Sequence, residues 1–366
     1  MAKRRYHVLA PNEASSRPTN HLFVDIESRL IDNGDDTTTH KLWFGWAFHW
    51  LRRKDREEDT VTEHRFSTVA DFWDLVTSFV WHGKPLYLIC HNVNYDLGVM
   101  GCFAELEQRG FELASIYLGG MTAIVKWTSE LGTLHVLDNA NLFPGTLARL
   151  GDALGFPKMD VDPLTATESE ADPYCKRDAE IMLKAWQEYY TFLDEHDLGN
   201  WGKTTPSQAF NAYRHRFMPC SIHIHDKTDV LKLERQAYHG GRTSIFYQGE
   251  LTDGPYYYLD VNSMYPAVMR EHAYPVRTHR LQKTMTVERL RNALKRYGVI
   301  ARVTVHTDNP VYMVKHKNHM IHPVGTFDAV LSTPELTYAL DHDHLLAVDC
   351  AVRYDMAPLF AVHVGS

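Results

Sequence analysis

Apolar and polar positions alternate along residues 1–200 in two distinct periods. Short apolar runs typical of buried strands are interleaved with stretches in which apolar residues recur at helical spacing. The predicted strands are residues 21–26, 41–50, 86–90, 114–117, 122–128 and 133–137. The predicted helices are residues 67–81, 95–108, 146–154 and 173–194. Strands and helices mixed in this order predict one α/β domain.

A stretch rich in Gly, Asn, Thr and Pro at 199–206 predicts a domain boundary near residue 200. We therefore expect one domain over 1–200 and a second region over 201–366. In the second region the pattern predicts a helix near 207–217, a strand over 256–260 and a further helix that begins near residue 262.

Charge divides unevenly between these regions. Residues 1–200 hold 19 basic and 31 acidic side chains, a balance of −12, whereas residues 201–366 hold 19 basic and 15 acidic, a balance of +4. This asymmetry favours a cation site in the first region and a polyanion-facing surface in the second. The five cysteines form no C-x-x-C pair, which disfavours a zinc ribbon, and their odd number disfavours a disulfide framework. No apolar stretch approaches ~20 residues, so we expect a cytoplasmic protein without a membrane partner.

Candidate acidic residues lie at three places in the first region. Asp25 and Glu27 are two apart on a strand, and Asp96 follows a buried strand at the start of a helix. Tyr174 and Asp178 are four apart and share one helix face. Four converging acids repel each other unless divalent cations neutralise them. Two Mg²⁺ or Mn²⁺ ions held in this way can activate a water and stabilise the leaving oxygen of a phosphodiester.

The segments FVDIE at 23–27, HNVNYD at 91–96 and YCKRD at 174–178 resemble the three exonuclease motifs of the proofreading domain in family B DNA polymerases. The resemblance implies a ribonuclease H-like fold and a 3′→5′ exonuclease. It also implies that the four acids bind two divalent metal ions.

The same resemblance assigns roles to the neighbours of these acids. It implies that Tyr174 orients the attacking water and that Asn92 and Tyr95 hold the frayed 3′ end, the ring by stacking on a base. Related exonucleases with a catalytic histidine carry it five residues before the last aspartate. Pro173 stands there in this sequence, so the tyrosine class is favoured.

One departure from the protein-primed members lies between the second and third motifs. Those members carry a Ser/Thr-Leu pair that contacts single-stranded DNA, whereas this sequence has DNANLF at 138–143. Asn139 or Asn141 is then the expected substitute as a phosphate donor.

The segment YYYLDVNSMYP at 256–266 predicts an apolar strand that ends at Asp260, followed by a helix capped by Ser263. Its D-x-x-S-x-Y-P order resembles the first palm motif of family B polymerases. The resemblance implies that Asp260 binds both catalytic metals with help from the Val261 carbonyl. It also places Tyr265 under the sugar of the incoming nucleotide.

Upstream of the palm segment, YHGGR at 238–242 resembles the Y-x-G-G motif between the exonuclease and palm domains. The DNA-contacting residues that this implies are Tyr238, Gly240, Gly241 and Arg242. Residues 203–296 carry 15 basic and 8 acidic side chains, which fits a surface facing duplex DNA. The stretch at about 281–360 is long for a palm and resembles the first insertion of the protein-primed subfamily, which contacts a terminal protein.

The sequence is thus identified as resembling the amino-terminal part of a protein-primed family B DNA polymerase. The expected fold is an α/β ribonuclease H-like exonuclease domain followed by a partial α+β palm with an insertion. The D-T-D and K-x-x-x-N-S-x-Y-G motifs of polymerisation are missing from these 366 residues. The expected partners are DNA, a terminal protein and a carboxyl-terminal polymerase fragment. The alternatives are a stand-alone DNA exonuclease and a non-catalytic module that binds DNA or terminal protein.

Overall fold

The computed structural model describes residues 7–35, 37–53, 58–120, 122–163, 165–317 and 319–361. These residues form two compact units. The first unit comprises the described residues of 12–216, and the second comprises those of 1–11 and 217–366. Residues 201–216 thus pack with the first unit. The assignment of 1–200 to an exonuclease domain, and of 201–366 to a linker and partial palm with an insertion at about 281–360, stays a prediction.

The described strands and helices are numbered in chain order. The strands are β1 His7–Leu9, β2 Asn20–Asp32, β3 Thr38–Leu51, β4 Thr60–Phe66, β5 Leu86–Cys90, β6 Glu112–Gly119, β7 Thr122–Thr128, β8 Thr133–Asp138, β9 Ile222–Ile224, β10 Tyr274–Thr278, β11 Gly298–Thr307, β12 Val314–His316, β13 His319–Ile321, β14 Gly325–Ser332 and β15 Leu345–Ala357. The α-helices are α1 Val69–Ser78, α2 Val93–Val99, α3 Cys102–Gln108, α4 Leu147–Ala153, α5 Glu168–Glu195, α6 Thr205–Ala212, α7 Thr228–Ala237, α8 Met264–Glu271, α9 Val287–Leu294 and α10 Thr333–Asp341.

A seven-stranded mixed sheet forms the centre of the first unit, in the order β4-β3-β2-β5-β8-β7-β6. The three central strands β2, β5 and β8 are parallel, and the other pairs are antiparallel. Alternate residues of β2 face opposite sides, as the pleat requires. Leu22 and Val24 belong to the hydrophobic cluster that includes α1, whereas Phe23 belongs to the cluster that includes Trp186 of α5. Helices therefore cover both faces, and the predicted α/β class is confirmed.

Two predicted helices differ from the observed ones for local reasons. The helix expected over 95–108 is split into α2 and α3, because Gly101 adopts a left-handed φ of 56° between them. The long helix begins at Glu168 rather than at Pro173. The Glu170 carboxylate accepts a hydrogen bond from the Thr167 backbone nitrogen at 2.9 Å, which stabilises the earlier start.

The second unit contains a four-stranded antiparallel sheet, β10-β15-β11-β14. Every second residue of β11 from Val299 to Val305 is buried, and this row packs with residues of α9 and α10. Two short pairs accompany the sheet, β1 with β9 and β12 with β13.

The strand predicted over 256–260 is wrong. These residues are in irregular backbone and exposed, and the Tyr258 side chain is 99% accessible. Because a strand needs a hydrogen-bonding neighbour, the apolar run forms none where no described strand lies beside it. Ser263 stands at the predicted N-cap of α8, but its side chain makes no capping hydrogen bond within the described structure, and its φ of 55° is left-handed.

Candidate metal centre

Two of the predicted metal ligands lie on the central strand β2. Asp25 and Glu27 are separated by one residue, so both carboxylates project from the same side of the strand. Asp96 lies in the first turn of α2, which follows the neighbouring parallel strand β5. The carboxyl ends of parallel strands meet at one edge of a sheet, and that edge carries all three acids.

The third predicted segment reaches the same place from α5. Asp178 is only 2% exposed, and Tyr174 is also buried one turn earlier on that helix. The adjacent Cys175 thiol donates a hydrogen bond to the Asp25 backbone oxygen at 3.3 Å, which fixes α5 against β2. The structure thus brings together all four acids and the tyrosine that the sequence predicts.

The electrostatics of this cluster favour a bound cation. Burial, followed by the nearby charges of Asp178, Asp96 and Glu27, raises the pKa of Asp25 well above its usual range. Burial and the charge of Asp138 raise the pKa of Asp96 well above its usual range. Unpaired carboxylates at this density are stable only when protonated or when a cation lies between them.

Two buried carboxylate oxygens are left without a hydrogen bond in the described part of the chain. Asp96 Oδ2 and Asp178 Oδ1 are buried and make no hydrogen bond to any described residue. A buried acceptor without a partner costs about 1–3 kcal/mol, so a ligand for these oxygens is favoured. Carboxylate oxygens are the donors that Mg²⁺ and Mn²⁺ prefer, so the residues fit such ions.

The Cys175 sulfur also lies close to the carboxylates of Asp25 and Glu27. One potential ligand atom from each of Asp25, Glu27 and Cys175 lies within 4.8 Å of the other two. Burial, followed by the charges of Asp25 and Glu27, raises the pKa of the Cys175 thiol well above its usual range. A protonated thiol that donates to a backbone oxygen is a poor ligand for a hard cation. The carboxylates are therefore better suited than Cys175 to bind such an ion.

Lys158 is a site residue that the sequence patterns do not reveal. Its ammonium group forms an ion pair with Asp178 and lies 4.4 Å from the centroid of the Tyr174 ring. Burial acts against its charge, yet the carboxylate of Asp178 raises the pKa of Lys158 above its usual value. Lys158 lies in an irregular loop after α4, and a single lysine in a loop carries no signal of its own.

The two residues predicted to hold a DNA end flank Asp96. Asn92 is exposed, with a left-handed φ of 77°, and its side chain makes no capping hydrogen bond to α2 within the described structure. Tyr95 is half-buried, and its hydroxyl contacts Ser28 Oγ at 2.5 Å and His40 Nδ1 at 2.9 Å. Asn92 is therefore available to a ligand, whereas Tyr95 is tethered to β2 and β3.

The expectation that Asn139 or Asn141 donates to a phosphate is not supported by their surroundings. Asn139 is fully buried and accepts a hydrogen bond from Trp186 Nε1 at 2.9 Å. Asn141 makes two hydrogen bonds to the Ala123 backbone, at 3.0 and 2.8 Å. Both amides are already occupied inside the fold.

Asp138 of the same stretch has a structural role that the motifs do not show. Its Oδ2 accepts from the Val93 backbone nitrogen at 2.9 Å, and its Oδ1 accepts from Ala140 at 2.8 Å. The first bond anchors the start of the helix that carries Asp96.

In the second unit, the predicted polymerase residues are exposed. Asp260 is accessible and belongs to no group of three or more metal-ligating side chains among the described residues. The Val261 carbonyl accepts a hydrogen bond from the Met264 nitrogen at 3.3 Å, and the Tyr265 ring is largely exposed. The geometry here does not form a metal centre comparable to that of the first unit.

The predicted DNA-contacting residues at 238–242 are also largely exposed to solvent. Tyr238 directly follows α7 and is 80% exposed. Arg242 donates to Ser244 Oγ at 3.1 Å and to the Pro310 carbonyl at 2.9 Å. A Cβ added at Gly240 or Gly241 would meet no described atom within 4 Å, and neither residue has a positive φ. The described fold therefore does not itself require glycine at these positions.

The stability of the metal-free protein is expected to fall as pH rises through the titration of Glu27. Burial and the charge of Asp178 raise the pKa of Glu27 from 4.5 to about 7. The folded chain then binds this proton more tightly than the unfolded chain, so the free energy of unfolding decreases between those pH values, by less than about 3 kcal/mol because solvent screens this partly exposed carboxyl. A divalent cation bound beside Glu27 would take the place of the proton on its carboxyl group. Calorimetry should therefore show that Mn²⁺ raises the melting temperature more at pH 8 than at pH 5.

The control for this pH effect is a pair of amide substitutions. Glu27→Gln should flatten the pH dependence, whereas Glu107→Gln, at an exposed position of α3, should leave it unchanged. An equal stabilisation by Mn²⁺ at both pH values would contradict the assignment of a cation site.

Part of this chain is similar in sequence to a known protein family. Residues 162–354 match the family described as DNA polymerase type B, organellar and viral. No match is found among the curated proteins.

No helix among the described residues is long and apolar enough to cross a membrane.

Solved structures of phi29 DNA polymerase share this fold. The complex with primer-template DNA is 15% identical with a TM-score of 0.58, and the complex with primer-template DNA and incoming nucleotides is 14% identical with a TM-score of 0.60. The complex with single-stranded DNA is 15% identical with a TM-score of 0.56. Each match covers 94% of this chain and 62–63% of the phi29 chain. The similarity confirms the predicted ribonuclease H-like α/β fold.

Proposed function

This chain belongs to the DNA polymerases of type B, organellar and viral, as its resemblance to the protein-primed members predicts. From that premise we propose that its first unit is a 3′→5′ exonuclease that acts on DNA. The observation that carries the proposal is the convergence of four acids with two unpartnered, buried carboxylate oxygens. The proposed role is proofreading during DNA synthesis by a polymerase of this family.

The acids Asp25, Glu27, Asp96 and Asp178 would hold two divalent ions, Mg²⁺ or Mn²⁺. When bound, such a pair activates a water and stabilises the leaving oxygen of a phosphodiester. The hydroxyl of Tyr174, one helical turn from Asp178, is placed to orient that water. Lys158 keeps a positive charge beside Asp178, where it can neutralise an incoming phosphate.

A single-stranded 3′ end is the substrate that best fits the rim of the site. Asn92 is exposed next to Asp96 and offers amide donors to a phosphate or a base. The Tyr95 hydroxyl is tethered to Ser28 and His40, so its ring has a fixed orientation for stacking on a terminal base.

The second unit would hold the duplex and supply one carboxylate for nucleotide addition. The open backbone at Gly240 and Gly241 admits close approach of a phosphate, and Tyr238 and Arg242 flank it. Asp260, the Val261 carbonyl and Tyr265 would contribute to a polymerase site. The exposure of Asp260 and of the apolar residues before it favours completion of that site by further protein, which we assign to a carboxyl-terminal polymerase fragment. A terminal protein is the proposed primer.

A 5′-labelled single strand incubated with Mn²⁺ should be shortened stepwise from its 3′ end. Tyr174→Phe should slow this digestion about tenfold to a hundredfold, because it removes one hydrogen bond to the water. Asp178→Ala should slow it more, because it removes a ligand. Tyr189→Phe, on the same helix outside the metal centre, is the matched control and should digest at the original rate.

Two outcomes would contradict this assignment. Equal losses from Tyr174→Phe and Asp178→Ala would show that the tyrosine does not have the separate role proposed for it. If the unsubstituted chain leaves the strand intact with both Mg²⁺ and Mn²⁺, the non-catalytic alternative would be favoured.

A further inference from the structure

A second cavity of the first unit lies at the opposite edge of its sheet from the metal centre. It measures about 660 Å³, within the range of ~300–1,000 Å³ typical of small-molecule sites. Loop residues that precede β2 and β5 line it, together with residues that follow β3 and α5. Five of the described lining residues are Lys or Arg and none is acidic. They are Arg17, Arg52, Arg53, Lys84 and Lys203.

The cavity and the metal centre lie at different ends of the same strands. Thr19 lines the cavity and directly precedes β2, whereas Asp25 lies six residues further along that strand. At about 3.3 Å per residue, the two places are roughly 20 Å apart. Pro85, which directly precedes β5, lines the cavity in the same way, whereas Asp96 follows the other end of β5. The cavity is therefore separate from the proposed exonuclease site.

Among the described residues, positive charge in this cavity exceeds the negative charge beside it. Asp194 is shared between two arginines, with Arg17 Nη2 at 2.9 Å and Arg52 Nη2 at 3.5 Å. The Arg17 side chain is only 5% exposed, and its Nε is buried with no hydrogen-bond partner among the described residues. Nη1 of Arg17 donates to the Ser16 and Gly199 backbone oxygens, so Nε is the donor that remains for an anion.

Lys203 adds to this excess. Its ammonium group contacts the ring nitrogen Nδ1 of His135 at 3.1 Å. Burial lowers the pKa of His135 to about 3, with the charges of Lys203 and Lys126 acting in the same direction, so the ring is neutral and does not compensate the lysine. Burial and the charge of Lys126 also lower the pKa of Lys203. An anion beside Lys203 would relieve this repulsion.

An aromatic wall accompanies the charges. The rings of Tyr87 and Trp201 are perpendicular with their centroids 5.3 Å apart, and both residues line the cavity. Trp201 Nε1 is buried and has no hydrogen-bond partner within the described structure, so a donor remains for a ligand. Aromatic side chains next to Arg and Lys are the combination that binds a base together with its phosphate.

We propose that this cavity binds a nucleotide, with its phosphate among Arg17, Arg52, Lys84 and Lys203 and its base against Tyr87 and Trp201. The ligand is either a free nucleotide or a nucleotide of a single strand, since both present a phosphate next to a base. The assignment does not depend on the exonuclease proposal, because it uses a separate set of residues.

The test uses the full chain with Asp25→Ala and Glu27→Ala in a chelating buffer, so that no ligand is degraded. Calorimetric titrations with deoxythymidine triphosphate, with oligodeoxythymidylate and with inorganic phosphate form the three arms. Adding Lys84→Glu should weaken binding of at least one base-bearing ligand about tenfold or more. The arm that shows the loss identifies free nucleotide or single strand as the source.

Two further variants make the result specific. Lys184→Glu reverses one charge on α5 away from the cavity and should leave every affinity unchanged. Tyr87→Leu should weaken the base-bearing ligand but not inorganic phosphate, and thermal melts should confirm that each variant is folded. The proposal is overturned if Lys84→Glu and Lys184→Glu bind both base-bearing ligands alike, or if inorganic phosphate binds as tightly as they do.

Discussion

Digestion of single-stranded DNA from its 3′ end is expected to be lost when Asp25 and Glu27 are both replaced by Ala. The rate should fall by roughly a thousandfold or more, because the two carboxylates on β2 supply ligands that hold both metal ions. The structure explains why this pair is central. Asp25 lies close enough to Asp178, Asp96 and Glu27 for their negative charges to act on it, so its removal lowers the negative charge that attracts a cation to the centre of the cluster. Gel analysis of a 5′-labelled strand with Mg²⁺ or Mn²⁺ measures the loss.

The matched control for this double substitution removes the same charge from the surface. Glu107→Ala with Glu112→Ala alters two exposed acids of the first unit and should leave the digestion rate unchanged. Thermal melts of both double variants should be cooperative, which shows that each variant is folded. If the Asp25 and Glu27 double variant digests DNA as fast as the unsubstituted chain, the metal centre is assigned to the wrong residues.

Primer extension is expected to be absent when the 366-residue chain is purified alone. Two metal ions about 3.5–4 Å apart need more negative charge than one carboxylate provides. Asp260 is exposed and joins no metal-ligating group in the described part of the chain, and the residues before it form no strand to fix its position. Incubation with primer-template DNA, Mg²⁺ and four nucleotides should leave the primer at its original length.

Extension should appear when a carboxyl-terminal fragment with the D-T-D and K-x-x-x-N-S-x-Y-G motifs is added. The assay uses the Asp25 and Glu27 double variant, so that digestion does not hide synthesis. The restored activity should vanish with Asp260→Ala and persist with Asp308→Ala, whose side chain is 95% exposed. Extension by the chain alone would show that its polymerase site is complete.

The convergence of the four acids and Tyr174 could be predicted from the sequence because each part of the cluster is local. A strand places Asp25 and Glu27 on one side, a helix places Tyr174 and Asp178 on one face, and a strand followed by a helix delivers Asp96 to the sheet edge. These periodicities are set by backbone geometry. The order of the three segments then indicated that they converge, and the structure brings them together.

Residues that depend on distant partners could not be predicted in this way. Lys158 is a site residue only because Asp178, twenty positions later, folds back onto it. Asn139 and Asn141 are chemically suited to bind phosphate, but Trp186 and the Ala123 backbone occupy them. Whether a side chain is free to bind a ligand depends on how the core packs around it. Residue type and spacing do not show this.

The sequence by itself determined the family, the α/β class of the first region and the four acids, since these rest on motif order and backbone periodicity. Only the tertiary structure decided three other features: the irregular, exposed backbone before Asp260, the occupied asparagines and the basic cavity. A strand forms only where a neighbouring strand accepts its hydrogen bonds, and the cavity joins residues from Arg17 to Lys203. Both depend on which distant segments lie together, and packing of the whole chain sets that arrangement.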